Sequence, residues 1–227
     1  VGSIRQPAPL TWEKRADGSV RPIACRFRRF RARRFGFEAA QWSGSTELTI
    51  DPGLIWSTTQ GPPSARDVHF DDNGLVTIVG GGGFSNLPTT TGAYDVSNNG
   101  NDDAVISQLD PSKPASAQLV YSTFLGGKGS ETIHKLHVSP AGTLAVAGTT
   151  TSSDFPTSTG TFGPTHAGGT DVFVCKFDLS KVGAKQLTYS SLLGGKGTEV
   201  LNGLWLDLSN RLIVVGQTNS ADFPVSK

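Results

Sequence analysis

Residues 121–159 read YSTFLGGKGSETIHKLHVSPAGTLAVAGTTTSSDFPTST, and residues 189–227 read YSSLLGGKGTEVLNGLWLDLSNRLIVVGQTNSADFPVSK. The two stretches lie 68 residues apart, and 18 of their 39 aligned positions are identical. The shared positions include Leu125-Gly126-Gly127-Lys128-Gly129 against Leu193-Gly194-Gly195-Lys196-Gly197, and Asp154-Phe155-Pro156 against Asp222-Phe223-Pro224. A fixed internal period of this size is the mark of a repeat architecture. It also governs how any motif is weighed, because a residue that recurs in the same slot has a structural explanation before it has a chemical one.

A weaker third copy lies upstream in the same register. Residues 70–80 (FDDNGLVTIVG) align with 138–148 and 206–216, and residues 103–110 (DAVISQLD) align with 171–178 (DVFVCKFD). Within a unit the pattern predicts four short strands: about 133–139, 143–149, 172–177 and 186–192 in the middle copy. The upstream strands are expected at about 67–71, 75–80, 104–109 and 118–124. Asn73-Gly74 and Ala141-Gly142 join the first two strands of each unit, and Asn-Gly is a strong hairpin signal. Successive strands are therefore expected to be antiparallel.

The second strand carries Leu144 and Val146 on one face and Ala145 and Ala147 on the other; its counterpart carries Leu212 and Val214 against Ile213 and Val215. A sheet with one wet face would alternate apolar and polar. Strands apolar on both faces require sheets covered on both sides. Four-stranded antiparallel sheets stacked face to face through a repeat are the construction of a β-propeller. The sequence thus predicts an all-β chain: a partial β-propeller over 51–227, with a leading strand at 54–59, blades at about 64–125 and 131–193, and a half blade at 199–227. Residues 1–50 fall outside the repeat. There 12–15 and 20–30, around Asp17-Gly18, read as one β-hairpin, and 34–40 with 47–50 as another, like the tail of a preceding β domain.

The run LVYSTFLGGKGSE…GTLAVAGTTTSSDFPT…GGTDVFVCKFD resembles the SBBP repeat, the bacterial seven-bladed beta-propeller family. The resemblance covers about residues 48–227. Residues 48–58 (LTIDPGLIWST) also resemble the join between that family's N-terminal region and its first repeat. One departure stands out: after Thr58 the family's Leu-Gly-Gly is replaced by Thr59-Gln60-Gly61-Pro62-Pro63, three residues short, so the first repeat is expected to start irregularly. The resemblance implies a secreted or cell-surface bacterial protein in which the module is a non-catalytic scaffold or a platform for protein or glycan. The chain is expected to be a piece of a longer protein and to self-associate when isolated.

Net charge is +1, but residues 1–50 carry ten Lys/Arg against four Asp/Glu, and the rest of the chain ten against fifteen. Arg26, Arg28, Arg29, Arg31, Arg33 and Arg34 lie in RFRRFRARRFGF, where cations alternate with aromatics. Such a run suits a nucleic-acid or other polyanion surface. It equally suits a hairpin with an aromatic inner face and a solvated arginine face, and the acidic remainder argues against nucleic acid. No run of about 18 apolar residues is present, so no membrane span is expected.

Catalytic and cofactor motifs are not found. His69 and His137 occupy equivalent slots that Trp205 fills in the third copy, which marks a packing position, and His134 and His137 are three apart on a strand, so they are expected on opposite faces. Asp103 and Asp171 open the third strands, Asp154 and Asp222 precede Phe-Pro, and turn capping explains both sets. Asp71-Asp72-Asn73 lacks the spacing of a calcium loop. Gly80–Gly83 opens no helix, and GGKG is no Walker loop, since a glycine follows the lysine. No metal, cofactor or catalytic residue is therefore assigned. Cys175 takes the slot of Ser107 and reads as a packed small residue; a bridge to Cys25 is not expected. The competing reading is a propeller-based polysaccharide lyase or hydrolase.

Strand parity places any binding surface. The long connections between second and third strands, 81–102 and 149–170, must share an edge with the LGGKG loops, opposite the short hairpins and the 110–117 and 179–185 loops. Connections of that length are usually functional or disordered. Candidate ligand-binding residues are Asn98, Asn101, Asp102, Lys128, Asp154, His166 and Lys196.

Overall fold

The computed structural model describes residues 10–31, 34–42, 44, 46–51, 62–82 and 87–225. The chain divides near residue 60 into two units. Strands dominate both; among the described residues the only helical segments are two short 3-10 turns, Ala115–Ala117 and Gly183–Gln186. The expected leading strand at 54–59 lies outside the described residues.

The N-terminal unit holds β1 (Leu10–Lys14), β2 (Val20–Pro22), β3 (Cys25–Arg31), β4 (Arg34–Ala39) and β5 (Glu47–Asp51). Its pairing corrects the sequence reading. The Asp17-Gly18 turn does join β1 to β2, with Gly18 at φ 81°. However, the expected 20–30 strand breaks at Ile23 and Ala24, where Ile23 N–H turns back to the Thr11 carbonyl. The chain resumes as β3, which pairs with β4, while β5 pairs with β1. Local patterning marks strands but not partners, so succession along the chain does not pair 34–40 with 47–50.

The second unit begins with β6 (Ser64–Phe70), β7 (Val76–Gly82), β8 (Asp103–Leu109) and β9 (Leu119–Leu125). It continues with β10 (Glu131–Val138), β11 (Leu144–Thr150), β12 (Asp171–Phe177) and β13 (Leu187–Leu193), and then β14 (Glu199–Leu206) and β15 (Leu212–Thr218). Each is within a few residues of its expected position. β6–β9 and β10–β13 are antiparallel meanders, and β14–β15 is a hairpin. Among the described residues one pair, Thr132 with Gly81, links the two meanders into one curled path of seven strands, β13-β12-β11-β10-β7-β8-β9, with β6 beside β7.

The hairpin turns use the expected chemistry. Gly74 and Gly142 sit at φ 85° and 82°, and Asn210 fills the equivalent place at 60°. Asp71 Oδ1 accepts the N–H of Asn73 and of Leu75, and Asp207 Oδ1 does the same for Ser209 and Arg211. Residues 71–73 are thus a turn cap.

Both faces of the β10–β13 sheet are covered. Val146, Phe173, Cys175 and Phe177 enter one core with Val79, Ile106 and Leu125 of the preceding meander. Ala147, Val172 and Val174 enter a second core with Leu201 of β14, where Leu204, Leu212 and Val214 pack. Phe155 stacks on Phe173 with centroids 4.7 Å apart. Burial differs between the repeated positions: Val76, Leu144 and Val146 are buried, Ile78 is half-buried, and Leu212 and Val214 are half-buried on a hairpin that pairs with no other strand among the described residues.

One feature absent from the sequence reading recurs three times. Arg66, His134 and Asn202 are extra residues bulged from β6, β10 and β14. Opposite each bulge is a glycine, Gly80, Gly148 or Gly216, whose Cβ would collide with the backbone of Ser64, Thr132 or Val200 respectively. A bulge adds one residue and shifts side-chain parity, so the inference that spacing alone sets His134 and His137 on opposite faces fails. His134 Nε2 lies 3.0 Å from Thr149 Oγ1, and His137 packs on Trp205 with ring centroids 4.4 Å apart.

Candidate functional site

The long loops and the LGGKG loops share an edge. Asn101 and Asp102 N–H both reach the Gly129 carbonyl, at 2.9 and 3.4 Å, and Glu131 N–H returns to the Asp102 carbonyl at 2.6 Å. One repeat on, Gly169 and Thr170 N–H reach Gly197 O, and Glu199 N–H reaches Thr170 O. Each contact includes a short parallel bridge, Asp102 with Ser130 and Thr170 with Thr198.

Three successive N–H groups of each LGGKG loop are held by side chains of the next long loop. Lys128, Gly129 and Ser130 donate to Asp154 Oδ1, Ser152 Oγ and Thr151 Oγ1 at 2.9, 2.7 and 2.9 Å. Lys196, Gly197 and Thr198 donate in the same way to Asp222, Ser220 and Asn219 at 2.9, 2.8 and 2.7 Å. This corrects the turn-capping reading of Asp154 and Asp222: each caps a loop 26 residues away. The donated N–H holds each carboxyl below its usual range.

Beneath each loop two carboxylates are buried. Asp103 and Asp171 are 0 % exposed, Glu131 1 % and Glu199 2 %. Asp103 Oδ2 accepts the Asn99 N–H at 3.0 Å and Asp171 Oδ2 the Ala167 N–H at 2.8 Å, so the capping expectation holds for one oxygen of each. The other oxygen, Oδ1, is buried with no hydrogen-bond partner in both. Glu131 accepts three hydrogen bonds: Thr150 and Ser152 hydroxyls donate to Oε1 at 2.5 and 2.6 Å, and Gly127 N–H to Oε2 at 2.9 Å, which leaves Oε2 room for one more partner. Glu199 receives the same three donors from Thr218, Ser220 and Gly195. Burial, and then Glu131 and Asp95 nearby, push the Asp103 carboxyl up to about 6 against the pull of Asn99 N–H. Burial likewise raises Asp171, while His166 opposes the shift. Sequence reading missed Glu131 and Glu199, although GGKGSE and GGKGTE repeat them in register.

The seven candidate residues fall into two groups. Asn98, Asn101, Asp102, Lys128 and Asp154 gather around one LGGKG loop: Asn98 Oδ1 caps Gly100 N–H, Gly100 lies against Gly127 and Gly129, and the exposed Lys128 Nζ is 3.6 Å from Asp154. His166 and Lys196 belong to the next loop, where Gly168 packs on Lys196 and His166 neighbours Asp171.

In the N-terminal unit, Arg26 and Arg28 both reach Glu38 Oε2, at 3.0 and 3.4 Å, and both are largely exposed. The backbone of Arg29, Arg31 and Arg34 lies in the hairpin, and Arg33 lies outside the described residues. Both cysteines are free and buried; Cys175 bonds Ser190 Oγ at 3.3 Å, and burial pushes its thiol up to about 12. Among the described residues no three His, Cys, Asp or Glu side chains converge as a metal cluster, and no helix is long and apolar enough to cross a membrane. A cleft of about 240 Å³ lies between the second meander and the β14–β15 hairpin, with Val172, Leu193, Leu201, Val214 and Phe223 on its walls. Compared with family models and with curated proteins, the chain matches none.

Proposed function

We propose that the second unit is part of a β-propeller of the SBBP-repeat kind, and that it serves as a non-catalytic scaffold or a platform for protein or glycan. The observation that carries this reading is the β10–β13 sheet with a separate apolar core on each face, the two cores occurring in the 68-residue register. Sheets stacked in this way are rigid, and rigid scaffolds commonly present function on loops. The LGGKG edge suits that role, since side chains anchor its loops and leave Lys128 and Lys196 exposed. The resemblance to a bacterial family supports a secreted or cell-surface setting.

The competing reading is a carbohydrate-active enzyme. A panel of polysaccharides, assayed for retention and for turnover, separates the two. Retention without product, weakened by Lys128→Ala and Lys196→Ala, is the expected result. Product formation, or binding lost only on substitution of the short-hairpin edge, overturns the proposal.

A further inference from the structure

The buried carboxylates under the LGGKG loops form a pattern that scaffolding does not require. In each repeat, Asp Oδ1 and Glu Oε2 flank the same side of a half-buried glycine. A Cβ on Gly126 would fall on Asp103 Oδ1 and Glu131 Oε2, and one on Gly194 on Asp171 Oδ1 and Glu199 Oε2. The two oxygens of each pair therefore crowd the same glycine and lie no more than about 5 Å apart.

Every hydrogen bond that reaches Glu131 comes from a donor. Thr150 Oγ1 accepts the Ser152 N–H and Ser152 Oγ accepts the Gly129 N–H, so both hydroxyls have their protons free for Glu131. With Gly127 N–H, the carboxylate faces three donors. The same orientation is imposed around Glu199 by Ser220 N–H and Gly197 N–H. Among the described residues no Lys or Arg forms an ion pair with any of these four carboxylates. Two carboxyl groups buried side by side repel when both are ionised, unless a proton or a cation joins them.

We propose that each LGGKG loop encloses a weak site for a hard divalent cation, Ca²⁺ foremost, held by Asp103 and Glu131 in one repeat and by Asp171 and Glu199 in the next. Each site has an unpartnered, fully buried Asp oxygen within about 5 Å of its partner carboxylate's Oε2, and the arrangement occurs twice on residues 68 apart. Oxygen-only ligands select Ca²⁺ or Mg²⁺ over softer metals. Ca²⁺–oxygen distances of about 2.3–2.6 Å place two ligands across one ion within about 5 Å of each other. With two carboxylates and the remaining positions left to water, affinity falls in the weak class of about 10⁻⁴–10⁻³ M.

The test uses the whole 227-residue chain, stripped with EDTA, dialysed, and titrated with CaCl₂ to about 10 mM. Calorimetry and thermal melts are run against MgCl₂ and against NaCl of matched ionic strength. Saturable uptake of about two Ca²⁺ per chain is expected, with the melt raised by about 5 °C or more. Asp103→Asn with Asp171→Asn removes the uptake and melts higher than the parent in EDTA, because the repulsion is gone. Each single variant retains one equivalent. A parent response no larger than that of matched NaCl overturns the proposal. So does a response that survives the double substitution. A double variant that fails to fold leaves the parent titration and the single variants to decide.

Discussion

The Tyr121 hydroxyl donates a 2.8 Å hydrogen bond to Gln186 Oε1, joining the last strand of one meander to the 3-10 turn before the last strand of the next. Both residues are buried, and Gln186 Nε2 is committed to the Lys181 carbonyl. Tyr121→Phe would leave the Gln186 oxygen buried without its donor. The expected loss is about 1–3 kcal/mol in urea unfolding. Tyr189→Phe, at the equivalent and less buried position with Lys176 Nζ over its ring, should lose less. Equal losses would show that the bond does not couple the meanders.

Gly148→Ala should destabilise more than Gly142→Ala. A Cβ at Gly148 meets the Thr132 carbonyl, Ile133 Cα and the Phe173 ring, none of which is the free end of a flexible side chain. The expected loss is about 1–3 kcal/mol or more. At Gly142 the space is open and only the positive φ opposes alanine, which costs about 1 kcal/mol. Denaturant midpoints of the two variants decide the order.

His137 sets one component of the pH dependence. Burial, and then the neighbouring His69, lower its pKa below 6.5. A histidine with a depressed folded pKa contributes stability above its unfolded pKa and loses it as pH falls through the folded value. The parent should therefore lose stability from pH 7 towards pH 5, and His137→Gln should lose less over that interval. Parallel melting curves for the two proteins across that range would remove His137 from the account.

The β14–β15 hairpin exposes Val200, Ile213 and Val215 on the face turned away from the second core. Apolar patches of this kind drive association. The isolated chain should sediment as a concentration-dependent oligomer, and Ile213→Lys with Val215→Lys should shift it towards monomer without lowering its melt by more than a few degrees. A parent that is monomeric and melts reversibly contradicts this.

Glu38 partly neutralises Arg26 and Arg28, so the arginine hairpin should behave as a solvated face. Retention on heparin is expected to be absent even at low salt. Retention that falls steeply with salt, and that Arg28→Gln, Arg29→Gln, Arg31→Gln and Arg33→Gln together abolish, would instead establish a polyanion surface.

The strands of the second unit were legible in the sequence because their signals are local. Apolar residues on both faces at 144–147 and 172–177, and turn residues at 73–74 and 141–142, act within a few positions and recur every 68 residues. The loop edge followed from counting antiparallel strands, and the Asn101 and Asp102 bonds to Gly129 lie there. What depended on contact between distant segments was not legible. β1 pairs with β5 rather than β4 with β5, because a strand's pattern does not name its partner. His134 bulges because Gly148 lets the Thr132 carbonyl approach from the opposing strand. Asp154 caps Lys128 across 26 residues, and Asp103 meets Glu131 across 28, under a glycine whose missing side chain makes room for both. Sequence alone determined the strands and their repeat, since propensity and turn chemistry are properties of neighbouring residues. Tertiary structure decided which carboxylates are buried together, since burial and charge proximity exist only once distant segments close over one another.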